Sequence, residues 1–238
     1  MKPDRFFYTA AAAAFLVLTV VGFQRYIFGG IHADGTPIAP AMLAIVVAHS
    51  SAIFAWFVLF FVQSLLIPTQ NRRFHMKLGW VGVAIAAVIG ITGPLVASRS
   101  IRTDPSQIIF GWSGQQFLLI MYTEIVLYVV FVAIAVFNRK RPRIHRPMML
   151  LACLAILTGA TARIALVNSI FGYHRWMALF GPVVTLGALL LLLRMAMTRS
   201  VDRAFSMGLA ALVVITAVVT KLSLTNLWVD WAATILKP

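Results

Sequence analysis

Apolar segments of nearly uniform length alternate with short polar stretches along this chain. Seven can be marked, at about 6–24, 41–67, 78–98, 116–137, 147–168, 177–197 and 205–223. Each approaches the ~20 residues that a helix needs to cross a bilayer. Backbone groups in hydrocarbon must be satisfied within their own segment, so runs this apolar predict helices. The breaks between them, such as "GGIHADGTPIAP", "IPTQNRR", "SRSIRTDPSQ", "NRKRPR" and "TRSVDR", carry turn chemistry. No linker or low-complexity stretch divides the chain. The pattern therefore predicts an all-α, seven-span transmembrane bundle forming a single domain over 1–238. The first run follows "MKPDR" and has the basic start of a secretion signal. Its length and the lack of a small-x-small cleavage site predict a retained first helix instead.

Two of the polar breaks echo each other. "NRRFHMKLGW" at 71–80 and "KRPRIHRPMM" at 140–149 each place arginines, a histidine and a further cation before the next apolar run. His75 and His145 thus occupy equivalent places in two hairpin turns. The echo predicts hairpin repeats at 41–98 and 116–168, with a third, degenerate copy at 177–223 that lacks the histidine. Two roles suit such histidines. They can cap helix starts and touch lipid headgroups, or they can serve as ligands or proton carriers.

Composition agrees with the pattern: 61% of the residues are hydrophobic and 11% charged, with a mean hydropathy of +0.94. A formal charge of +14 would suggest nucleic acid in a soluble chain. Here the cations flank apolar spans, so the predicted partner is the lipid bilayer and not nucleic acid. Most of the 20 lysines and arginines fall at the N-terminus and in the breaks after spans two, four and six, including Arg72, Arg73, Lys77, Arg139, Lys140 and Arg194. That bias predicts a multi-pass protein of the bacterial inner membrane, with the N-terminus inside and the C-terminus outside. The single cysteine, Cys153, excludes an internal disulfide or a cysteine metal cluster.

Ionisable residues inside the spans are costly and mark candidate chemistry. His49 in span two and Glu124 in span four each lie about 12 Å below the outer entry of their helix, at a rise of ~1.5 Å per residue. Arg163 in span five reaches the same outer third, about 24 Å along from the inner side. Tyr128 stands one turn from Glu124, and His49, Trp56 and Gln63 recur every seven residues as one stripe. Depth therefore predicts a shared polar layer, as a ligand site or as a buried Glu124–Arg163 pair packing two helices.

A b-type haem between two histidines is the other candidate, since helical bundles hold haem this way. His49 is the only intramembrane histidine, and its partner would be His174 or His32 in the outer loops. On the inner side, His75 and His145 are placed to face each other. His32 and His174 near the outer face form only a weak metal candidate, without the spacing of a zinc site. No Walker loop, GxSxG elbow or GxGxxG motif occurs.

The stretches "AHSSAIFAWFVLFFVQSLLIPTQNRRFHMKLGWVG" and "RPRIHRPMMLLACLAILTGATARI" resemble a group of uncharacterised bacterial inner-membrane proteins. These carry a histidine in the second span, an Arg-x-x-His-basic-x-Leu-Gly turn, and a second His-Arg turn before a span containing alanine and arginine. The matching residues are His49, Arg72, His75, Lys77, Leu78, Gly79, His145, Arg146 and Arg163, and the second turn lacks the Leu-Gly pair. The likeness covers about 41–165 and implies no activity. A more distant likeness to membrane b-type cytochromes rests on helix count and the His turns. Three functions follow as expectations. The first is an outward-facing pocket that binds or transports a small anionic or zwitterionic ligand through Arg163, His49 and Glu124. The second is a b-type haem electron carrier or oxidoreductase. The third is a structural or assembly subunit alongside partner membrane subunits. Whether the protein is an enzyme is left open.

Overall fold

The computed structural model describes residues 6–31 and 35–237. Among these, nine helices and one short hairpin form. They are α1 (Phe7–Gly29), α2 (Pro40–Leu66), α3 (Arg72–Thr103), β1 (Ile108–Ile109), β2 (Trp112–Ser113), α4 (Gly114–Phe137), α5 (Pro142–Thr161), α6 (Ala165–Phe171), α7 (Arg175–Thr198), α8 (Arg203–Leu222) and α9 (Asn226–Ile235). Seven of them are long and apolar enough to cross a membrane, in the order expected. Their boundaries differ from the apolar segments in two informative places. α3 runs for 32 residues, roughly 48 Å against a hydrocarbon core of ~30 Å, so its charged ends extend beyond the apolar stretch on both sides. α5 starts earlier, with Pro142 in its first turn, and ends at Thr161. Arg163, expected inside span five, therefore lies past the helix that was to carry it.

α5 is the centre of the bundle. Of its most apolar stretch 72% is buried, against 28–39% for the other six long helices. Every residue from Leu150 to Thr158 is buried, and α1, α4, α7 and α8 pack around it, while α2 and α3 lie against α1 and α4. In lipid, apolar attraction between helices is weak, so close approach depends on small residues. The tightest case is Gly22 of α1. A Cβ there would sit 2.3 Å from the carbonyl oxygen of Ala160, a backbone atom that cannot swing aside.

The three hairpins share one construction at the arginine-rich end. Asn71, Arg141 and Asp202 are the N-caps of α3, α5 and α8. Four residues on, the backbone N–H groups of His75, His145 and Ser206 bond to those cap carbonyls at 3.0, 3.0 and 2.9 Å. The two histidines, expected in the turns, thus stand within the first turns of their helices. α7 and α8 are also joined by an ion pair between Arg194 and Asp202 at 2.6 Å. At the opposite end the break before α4 contains a feature that the apolar pattern did not show. Ile108–Ile109 pairs with Trp112–Ser113 through a two-residue turn, with Phe110 and Gly111 both at positive φ. The fully buried Trp112 anchors this hairpin, and Ser113 closes a capping box with Gln116 that starts α4.

The α1–α5 contact makes a direct prediction. Gly22→Val should destabilise the bundle by about 1–3 kcal/mol, as overpacking does. Gly79→Ala, whose new methyl would meet only the Gln63 amide at 3.8 Å, should be neutral or mildly stabilising. Thermal unfolding in detergent measures both.

Candidate functional site

The two echoed histidines meet. The imidazoles of His75 and His145 lie with ring centres 6.3 Å apart and planes at 85°, one from each hairpin. Each ring is oriented by the helix that precedes it. His75 Nδ1 donates to the carbonyl of Gln63 at 3.2 Å, and His145 Nδ1 donates to the carbonyl of Ala135 at 2.9 Å. A carbonyl oxygen only accepts, so Nδ1 carries the proton in both rings and Nε2 keeps its lone pair. This is the arrangement that metal-ligating histidines use to fix tautomer and direction. Gln63 braces the pair further, donating its amide N–H to the His75 carbonyl at 3.2 Å, while its Oε1 is buried without a partner. Arg72 and Arg146 lie close enough to act on His75 electrostatically.

His49 follows the same bonding rule in a different place. The Thr92 hydroxyl gives its proton to the Val88 carbonyl at 2.7 Å. It must therefore accept from His49 Nδ1 at 2.8 Å, which again leaves Nε2 with the lone pair. Among the described residues no hydrogen bond engages Nε2 of His49, His75 or His145.

The remaining members of the expected polar layer diverge. Glu124 faces α5, α7 and α8, where it lines a gap with Thr158, Thr216, Phe180 and Val183. The gap is too narrow to admit a water molecule, and both Glu124 Oε1 and Thr158 Oγ1 are buried without a hydrogen-bond partner. Thr216 is engaged, donating to the Leu212 carbonyl at 2.8 Å and accepting from Trp176 Nε1 at 3.2 Å. Arg163 points elsewhere. Its guanidinium donates to the Gly159 carbonyl, covers the ring of Phe23 at 4.7 Å, and is exposed on the bundle's side. No contact within 4.0 Å joins it to Glu124, although the two are near enough to interact electrostatically; the one ion pair among the described residues is Arg194–Asp202. Equal depth placed these groups in one layer, but His49, Glu124 and Arg163 face three different neighbours.

Tyr128 is fully buried and meets Trp56 edge-on at 5.1 Å. Its hydroxyl and the Trp56 indole N–H both lack partners, and Cys153 is buried too. The stripe of His49, Trp56 and Gln63 therefore serves three separate contacts, to Thr92, Tyr128 and His75. His174 is the exposed N-cap of α7, and His32 lies outside the described residues. No group of three or more histidine, cysteine or acidic side chains suited to a metal ion occurs among the described residues.

The chain matches no protein-family model, no curated protein and no solved structure. Its resemblance to bacterial inner-membrane proteins therefore rests on the quoted residues alone.

The separation of Glu124 and Arg163 sets the outcome of a double-mutant cycle. Breaking a buried contact pair costs ~3–5 kcal/mol when one partner goes. Because these two interact electrostatically without touching, Glu124→Gln and Arg163→Met should show a coupling well below that, about 1 kcal/mol, in thermal unfolding.

Proposed function

We propose that the protein is a polytopic inner-membrane electron carrier that holds a b-type haem between His75 and His145. Seven membrane-length helices are compatible with an integral membrane protein, and the excess of cations at the His75–His145 end favours placing that end on the cytoplasmic side. The observation that carries the reading is the histidine pair. Two imidazoles that bind one metal from opposite sides, through bonds of about 2.0–2.1 Å, keep their ring centres roughly 6 Å apart. Here the separation is 6.3 Å, with both Nδ1 protons engaged and both Nε2 lone pairs available.

The surroundings select among metals. Two nitrogen donors without thiolate or carboxylate do not complete the four-coordinate shell of a structural zinc site. Arg72 and Arg146 beside the pair repel a bare cation but suit the propionates of a haem. Bound there, haem would supply a one-electron iron couple tuned by its two nitrogen ligands. The chain's own part is to orient the imidazoles from Gln63 and Ala135 and to offer guanidinium groups for the carboxylates. Because the ligands come from different hairpins, binding would also tie the α2–α3 and α4–α5 units together.

Protein expressed with ample haem should show a Soret band, and α and β bands on reduction with dithionite. His75→Ala and His145→Ala should each remove the low-spin spectrum while membrane insertion persists. A colourless wild-type protein that does not take up added haem would reject the proposal. Orientation has its own check: a reporter fused after residue 238 should be active outside the cytoplasm, and one inserted between Arg139 and Arg141 inside it.

A further inference from the structure

At the end of the bundle opposite the histidine pair, the first turn of α2 and the last turns of α3 flank an open concavity of about 330 Å³. It is lined by Ala41, Met42, Arg99, Arg102 and Thr103. Few cations occur at this end of the chain, yet two of them share this wall. Arg99 and Arg102 are three residues apart on α3, so they sit on one face, where like charges repel. Among the described residues no carboxylate relieves them. The nearest acid in sequence, Asp104, turns its Oδ1 to Ser106, accepting from the hydroxyl at 2.7 Å and the backbone N–H at 3.2 Å. Among the described residues neither arginine forms an ion pair. Arg102 is held in place by donating to the Ile235 carbonyl of α9 at 2.7 Å.

The helix ends around the cavity add to its positive character. The final carbonyls of α3 oppose an anion, and two carbonyls of the last turns, those of Arg99 and Ser100, are engaged. The Thr103 hydroxyl donates to the Arg99 carbonyl at 2.8 Å, and the Ser100 carbonyl accepts from Asp104 N–H and Gln107 Nε2, both at 3.1 Å. α2, in contrast, begins at Ala39 with no side chain capping it; Pro40 has no N–H and the Met42 N–H bonds to the Ala39 carbonyl at 2.8 Å, which leaves the Ala41 N–H on the cavity wall. The volume is at the lower end of the range for small-molecule sites.

From this arrangement we propose that the cavity binds the phosphodiester headgroup of an anionic phospholipid, with Arg99 and Arg102 as its guanidinium clamp. The lipid is favoured over a free anion by what continues the same face of α3 toward mid-membrane. Leu95, Ile91 and Val88 follow Arg99 at helical spacing and are 45%, 66% and 43% exposed. They form an apolar track on which an acyl chain can lie while its phosphate sits between the arginines. The inference does not depend on haem binding, and its test does not involve the histidines.

The test uses the full-length protein, delipidated in detergent, with dioleoyl phosphatidylglycerol, dioleoyl phosphatidylcholine and inorganic phosphate as probes. Native mass spectrometry should show retention of phosphatidylglycerol over phosphatidylcholine. Arg99→Gln should weaken that retention by about tenfold, the scale of one charge-assisted contact. Lys221→Gln, which removes a cation on α8 outside the cavity, should leave it unchanged, and Arg99→Lys should restore part of it with the fold intact. Equal retention of phosphatidylglycerol by wild type and Arg99→Gln would overturn the site. Thermal stabilisation by millimolar inorganic phosphate that matches the lipid's and is lost in Arg99→Gln would overturn the lipid assignment.

Discussion

A polar side chain inside a bundle of membrane-length apolar helices has little but the protein to bond with, and that constraint organises the polar bonding of this one. The hydroxyls of Thr19, Thr92, Thr123 and Thr216 each donate to the carbonyl four residues back, which satisfies the donor without a neighbouring helix. Histidine cannot reach its own helix in this way. Each of the three described membrane histidines therefore gives its Nδ1 proton to an adjacent helix, through Thr92, Gln63 or Ala135. The same bond that satisfies the donor orients the ring and leaves the other nitrogen available. Satisfying the donor and orienting the ring are thus two results of one interaction.

The central helix makes the pairing of the histidines geometrically feasible. α5 is surrounded, and it tolerates that position because Ala152, Ala155 and Ala160 keep its surface narrow where neighbours approach. With α5 inside, its partner α4 packs against α3, and the two hairpins lie side by side with their starts level. Both histidines stand four residues after their N-caps, so hairpins of like construction place the rings at the same height. Removing either hairpin from this register would separate the rings by more than any side-chain rotation could recover.

The polar groups left without partners have a different distribution. Glu124 Oε1, Thr158 Oγ1, the Tyr128 hydroxyl and the Trp56 indole N–H are all buried, on helices α2, α4 and α5. Unsatisfied groups in such a setting are destabilising by ~1–3 kcal/mol each. Further such atoms, among them Gln63 Oε1, Trp112 Nε1, Asn168 Oδ1 and Thr220 Oγ1, are spread over other elements. Two arginines lie on aromatic faces. Arg163 lies over Phe23 and is exposed, so its charge escapes the apolar interior, whereas Arg194 lies over Phe7 and Tyr8 at 5.6 and 5.1 Å and is held by Asp202.

Much of the architecture was legible in the chain because one physical signal dominates it. Apolar length measured against bilayer thickness marked the seven spans, and the repeated arginine–histidine turns marked two hairpins of like construction. What the linear pattern carries is depth along each helix. It does not carry the direction in which a side chain faces, because that depends on how each helix is rotated and which neighbours it acquires. His49, Glu124 and Arg163 have similar depths and different directions, so a layer inferred from depth contains no common contact. Arg163 was further misplaced because an apolar run does not reveal where a helix stops, and α5 ends two residues before it. The β1–β2 hairpin was missed for a related reason: the two-residue strands on either side of its Phe-Gly turn are too short to show strand periodicity. For His75 and His145 position along the chain was enough to suggest a pair, because both mark the start of a helix in matching hairpins. Their meeting was settled by the packing of α3 against α4, which brings together residues 70 positions apart in the chain, and the tautomer of each ring by its bond to Gln63 of α2 or Ala135 of α4.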